Sequence, residues 1–177
     1  MYRKPILAAL LALAGCASAL DPVGEDSALR TDQAAYVARY LAGEGPYRQY
    51  GFTLVARFEN RTGGPVYLER CYPNTPYPSF GVELVGGDGR APESGYDPVW
   101  ACVGHESQIV VQPGDTRVDT LRIRGPNGWD GYTKEPQGEM EGSFRLVYQA
   151  GTCRDVIRCQ LPAEARTSNL FEVRVER

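Results

Sequence analysis

Cysteine and histidine most often carry nucleophilic or metal chemistry, and this chain holds five of the first and one of the second. His105, in Val103-Gly104-His105-Glu106, has no second histidine with which to build a metal site or a His-based triad, and no G-x-S-x-G elbow offers it a serine. It reads as a loop histidine. No catalytic set, no metal site and no cofactor is expected. Asp130, Glu135, Glu139 and Glu141 gather acidic charge between two predicted strands, but their spacing does not match an EF-hand loop. They read as solvated loop carboxylates.

Cys71, Cys102, Cys153 and Cys159 are even in number and lack the C-x₂-C spacing of a zinc site, so in an oxidising compartment they read as two disulfides. Cys153 and Cys159 have five residues between them and suit a clip on one hairpin or loop. Cys71 and Cys102 then bridge more distant segments, closing a loop of about 30 residues that the chain-entropy model values at roughly 3–4 kcal/mol.

The fifth cysteine lies in a different context. Arg3 and Lys4 precede an apolar run from Ile6 to Ala14, too short to span a bilayer as a helix, and the run ends in Leu13-Ala14-Gly15-Cys16. This ending resembles the bacterial lipobox. The resemblance implies cleavage before Cys16 and acylation at Cys16, with the chain held at the cell envelope facing the periplasm. Ala17 rather than Asp after the cysteine favours the outer membrane. An ordinary secretory signal cut after Ala17 or Ala19 is the alternative. Residues 1–15 are thus expected as a signal peptide, 16–29 as lipidated N-terminus and tether, and 30–177 as one domain.

Two loops offer contact residues. Gly125-Pro126-Asn127-Gly128-Trp129-Asp130-Gly131-Tyr132 sets aromatics among glycines, and Asn127, Trp129 and Tyr132 are candidate partner-binding residues there. Tyr72-Pro73-Asn74-Thr75-Pro76-Tyr77-Pro78 is stiffened by its prolines and offers Pro76 and Tyr77.

The elements that must position these loops are strands. Residues 50–60 alternate with Phe52, Leu54, Ala56 and Phe58 on one face, and a hairpin turn at Asn60 to Gly64 returns the chain as Val66 to Cys71. Asn60-Arg61-Thr62 is formally a glycosylation sequon and reads as part of that turn. Phe80, Val82 and Leu84, then Pro98 to Val103, then Gln108 to Gln112 follow. Beyond a Pro113-Gly114-Asp115 turn come Val118 to Arg124, Gly142 to Gln149 and Leu170 to Val175. Residues 31–42 suit an extended first strand. The pattern predicts an all-β fold, an immunoglobulin/fibronectin-like antiparallel β-sandwich of seven to nine strands with two disulfides.

The succession F-T-L-V-A-R-F-E-N-R-T-G-G-P-V-Y-L, F-G-V-E-L, V-V-Q-P-G-D-T and G-S-F-R-L-V-Y, within residues 50–150, resembles small bacterial Ig-like domains. Among these are BsuPI-type domains, named for an intracellular proteinase inhibitor, and uncharacterised envelope lipoproteins. That resemblance implies the sandwich and, for function, protease inhibition through loops.

Charge narrows the partners. Without Arg3 and Lys4 the chain carries 17 basic and 22 acidic side chains, and no basic block is visible. This argues against nucleic acid and against anionic lipid surfaces as partners. The expected function is non-enzymatic protein–protein contact with an unknown partner in the envelope, as an accessory or stabilising subunit of a membrane complex. Protease inhibition is the first alternative. A carbohydrate or Ca-dependent ligand binder is the second.

Overall fold

The computed structural model describes residues 27–70, 75–86, 107–126 and 139–177. Ten strands are found there: β1 Leu29–Thr31, β2 Ala35–Ala42, β3 Gln49–Glu59, β4 Val66–Arg70, β5 Phe80–Leu84, β6 Ser107–Val111, β7 Thr116–Gly125, β8 Gly142–Tyr148, β9 Ala150–Gly151 and β10 Phe171–Val175. A one-turn helix, α1, spans Ala163–Arg166, and a 3-10 turn spans Gly45–Tyr47. The count exceeds the expected nine because β1 and β9 are short pieces set off from β2 and β8 by irregular backbone. Pro98 to Val103 lies outside the described residues.

The strands pack as a β-sandwich of the immunoglobulin-like kind. One ladder runs β1-β3-β2-β10-β8-β5, with β7 on the other side of β3, and a second joins β6, β4 and β9. β2 belongs to two neighbourhoods: Ala35–Ala38 pair with β10, and Arg39–Ala42 pair with β3 across a bulge near Tyr40. The β2–β10 pairing is parallel, an exception to the antiparallel expectation. These strands lie at opposite ends of the sequence, so no short loop imposes an antiparallel return.

Period-2 alternation is realised closely in β3 and β7. Phe52, Leu54, Ala56 and Phe58 face inward, as do Leu121 and Ile123. The core closes around mutually packed rings: Tyr36 lies 5.2 Å from Phe52 and 5.4 Å from Phe171, and Phe144 lies 6.3 Å from Phe171. In β8 both faces are buried, because the segment approaching β10 pairs along its edge through Val147–Thr167 and through Ser168, which donates to and accepts from Leu146.

Two expectations are corrected. The folded part starts earlier than residue 30: Ser27 and Leu29 are buried, and Ser27 Oγ donates to the carbonyls of Glu164 and Thr167. More consequentially, Asn60 to Gly64 is not a β-hairpin. β3 pairs with β7 while β4 pairs with β6, so the turn carries the chain from one ladder to the other. The Pro113-Gly114-Asp115 turn makes the same crossing between β6 and β7, and Asn60 binds the two crossings together. Its N–H donates to the Asp115 carbonyl at 3.0 Å, and its carbonyl accepts from Gly114 N–H at 2.8 Å. Its Nδ2 donates to the Gly64 and Val111 carbonyls, and its Oδ1 accepts from Thr62 N–H and Oγ1. A local hairpin and a sheet-to-sheet corner use the same turn residues, and only long-range pairing separates them.

Candidate interaction site

β7 sets the scale of the molecule. Arg117 pairs with Phe58 at one end and Gly125 with Tyr50 at the other, a span of about 26 Å. The two sequence-predicted contact loops depart from opposite ends. Pro76 and Tyr77 lie at the Arg117 end. The chain bearing Asn127, Trp129 and Tyr132 leaves after Pro126 and re-enters before Gly142, both at the far end. Asn127, Trp129 and Tyr132 lie outside the described residues, as do His105, Cys16, Cys71 and Cys102.

At the near end, Pro76 is exposed and Tyr77 half-buried, its ring 5.8 Å from that of Phe80. The Pro76 carbonyl accepts from Arg117 Nη2 at 2.6 Å. The same guanidinium grips Asp119 with Nε at 3.0 Å and Nη2 at 2.6 Å, and Tyr148 donates its hydroxyl to Asp119 Oδ2 at 3.1 Å. Asp119 is buried at an inward position of β7, in line with Leu121 and Ile123. A carboxylate there is tolerable because its charge is matched by arginine and its lone pairs are occupied. Burial, with the charge and hydrogen bond of Asp119 added, pushes the Tyr148 hydroxyl well above its ordinary pKa. The alternation of β7 did not signal this carboxylate, because an Asp among inward apolar positions looks like a break in the pattern.

Cys153 and Cys159 form the expected short clip, with Cα atoms 5.6 Å apart, in the loop after β9. Two backbone contacts close the loop beside it: the Gly151–Gln160 bridge and the bond from Thr152 N–H to the Cys159 carbonyl.

The far end is built differently. β2 turns into β3 through Gly43, whose φ of +89° suits glycine. A Cβ there would sit 2.0 Å from the Tyr47 carbonyl oxygen, so the turn requires this residue. The tight turn lifts Tyr47 into solvent at 82% exposure, and Leu41 and Tyr40 are each 54% exposed. Tyr40 donates its hydroxyl to the Gly43 carbonyl at 2.7 Å and meets the edge of Tyr50 at 6.2 Å. Between these residues and the end of β10 lies an open groove of about 530 Å³, lined by Tyr40, Tyr50, Glu44, Arg48, Val175 and Glu176. Glu141 is held at its border, accepting from Val175 N–H and facing Arg177 at 3.6 Å. Sequence reading passed over this groove because β2 looks like an ordinary amphipathic strand until its bulge turns Tyr40 and Leu41 outward.

Two further titratable groups mark the first turn. Burial, reinforced by the bond to Asp32, pushes Tyr36 up to about 12. Burial works to raise Asp32, but hydrogen bonds from the Tyr36 hydroxyl and Val55 N–H outweigh it and hold the carboxyl below its usual range. On the other side of the sandwich, burial raises the Glu83 carboxyl, and the charge of Arg166 opposes it. Among the described residues no group of three or more His, Cys, Asp or Glu side chains is placed to hold a metal ion.

No family model matches the chain, and no curated protein matches it. Among solved structures, the CARDB domain of a Pyrococcus furiosus protein, crystallised in complex with di-metal ions, is 11% identical, with a TM-score of 0.35 over 88% of this chain and 97% of that one. A likeness of that degree carries no argument about ligand or family.

Proposed function

We propose that this chain is a non-enzymatic, lipid-anchored domain of the bacterial cell envelope. In this reading it faces the periplasm and works by contact with another envelope protein, as an accessory or stabilising subunit of a membrane complex. The observation that supports this most is the far end of the sandwich. There Leu41, Tyr40 and Tyr47 are held in solvent by a rigid turn, beside an open groove with charged walls. Large, torsionally restricted aromatic side chains lose little entropy on contact and bury much area, which is what protein interfaces use. The strand ends that carry the segment with Asn127, Trp129 and Tyr132 are at this same end, so both sets of contact residues would address one partner.

The anchor rests on the Leu13-Ala14-Gly15-Cys16 sequence and is tested by intact mass of membrane-extracted protein. A chain beginning at Cys16 with added lipid, and four hydrogens fewer than the reduced chain, is expected. An unlipidated chain beginning at Ser18 or Leu20 would remove the anchor. The contact function is tested by recovering the tagged chain from its native membranes in mild detergent. A stoichiometric envelope protein, lost from a Leu41→Ser/Tyr47→Ser variant that folds normally, is expected. Recovery of the chain alone would sink the reading.

A further inference from the structure

The outward face of the sheet formed by β1, the second half of β2, β3 and β7 gathers cations that the sequence scatters. Side chains alternate across a strand, so with Phe52, Leu54 and Phe58 inward, their neighbours in β3 point out. Register then sets Arg30 beside Arg57 and Arg122 beside Thr53, and places Arg39 and Arg124 on either side of Gly51. The outward positions of these strands hold five arginines and one carboxylate, Glu59, which Arg61 binds at 2.9 Å. The nearby Asp32 carboxylate turns to Val55 N–H and the Tyr36 hydroxyl. The local sign is therefore opposite to that of the whole chain, whose formal net charge is −3.

Arg57 and Arg122 are exposed and make no hydrogen bond or ion pair among the described residues. Arg39 shares an open ion pair with Glu176 at 3.4 Å, with both side chains more than half exposed. Arg30 and Arg124 have partners of their own and add to the field. Like charges set directly opposite one another, as Arg30 and Arg57 are, disfavour the sheet by themselves, and an external anion relieves them.

We propose that this face lies flat on an anionic bilayer, with its arginines on lipid phosphates. The arginines are spread over four strands, some 15–20 Å each way, and do not converge on a pocket. A plane of phosphates engages all of them, whereas a compact anion engages one or two. Val37, Leu41 and Val118 stand among them at 56%, 54% and 60% exposure, placed to enter the acyl boundary while the arginines remain at headgroup level. Guanidinium groups suit this role because their planar donors match phosphate oxygens in pairs. The inference does not depend on acylation of Cys16.

The test uses the full chain carrying Cys16→Ser, which has no acylation site, floated with vesicles of phosphatidylcholine or of the same lipid with about a third phosphatidylglycerol. Any contribution of the N-terminal apolar run is common to every variant, so differences between variants isolate the face. About tenfold stronger binding to the anionic vesicles at low salt is expected, lost near 0.5 M salt. Arg57→Ser/Arg122→Ser should fall to the phosphatidylcholine level. Arg57→Lys/Arg122→Lys should retain most of the binding, and the charge-matched Arg154→Ser/Arg158→Ser should retain all of it. Thermal unfolding confirms that each variant is folded. Equal binding to both lipids, or undiminished binding by the serine double variant, would overturn the proposal. So would soluble polyglutamate binding the face as tightly as the anionic vesicles, which would assign it to an acidic protein.

Discussion

At the Asn60 end of the sandwich, polar groups are consumed by one another. Asn60 is buried and fully hydrogen-bonded, Asp119 is held by Arg117 and Tyr148, and Arg117 reaches on to the Pro76 carbonyl. At the far end, Tyr47 and Leu41 stand in solvent, and the charges lining the groove are paired loosely or left to water. A buried polar group that lost its partner would destabilise the fold, so the first end is committed to structure. The second end makes few demands on the fold. It is therefore the end that can be given over to contact, and equal sequence polarity conceals the difference.

The sharpest break is Asp119→Ala, which leaves the Tyr148 hydroxyl buried without its acceptor and Arg117 without its counter-charge. A loss on the order of 3–4 kcal/mol is expected, read from the urea midpoint. Asn60→Ala should follow at about 3 kcal/mol, since the Val111 and Gly64 carbonyls lose their donor while the corner loses the bonds that hold it. A loss below about 1 kcal/mol for both would mean that this end is not the stitched one. Removing the clip with Cys153→Ser/Cys159→Ser should cost about 2 kcal/mol, by the entropy of a short loop.

Alkaline titration sharpens the comparison further. Tyr36 and Tyr148 have raised pKa values in the folded state, so the stability they contribute is complete below the ordinary tyrosine pKa of 10 and is lost as pH rises toward 12 and beyond. Unfolding free energy should therefore fall across pH 10–12, and Tyr148→Phe should flatten part of that fall. A fall of the same size in the variant would assign it to other groups. The smallest effect is expected at the open end. Tyr47→Ala should change stability by less than about 0.5 kcal/mol while reducing recovery of a partner. A large loss of stability there would erase the distinction between the ends.

Much of the sandwich was legible in local pattern. β3, β7, β8 and β10 follow from alternation, and the short Cys153–Cys159 clip follows from spacing. The contact end was legible in part, through Gly-flanked aromatics and a Pro-rich loop. Tyr40, Leu41 and Tyr47 were not, because their exposure comes from a bulge and a glycine turn. Asp119 was hidden because a buried carboxylate is indistinguishable in sequence from a solvent-facing one until its arginine and tyrosine partners are placed.

The sequence by itself determined the strand faces, the inward aromatics and the pairing of near cysteines, since each depends on residues within a few positions of one another. Tertiary structure decided that Asn60 turns a corner between ladders, that β2 runs parallel to β10, and that Arg30, Arg39, Arg57, Arg122 and Arg124 share one face. Those outcomes depend on register between strands up to 137 positions apart, as Ala35 and Glu172 are. Register is set by how the apolar faces close on one core, which no local window of sequence contains.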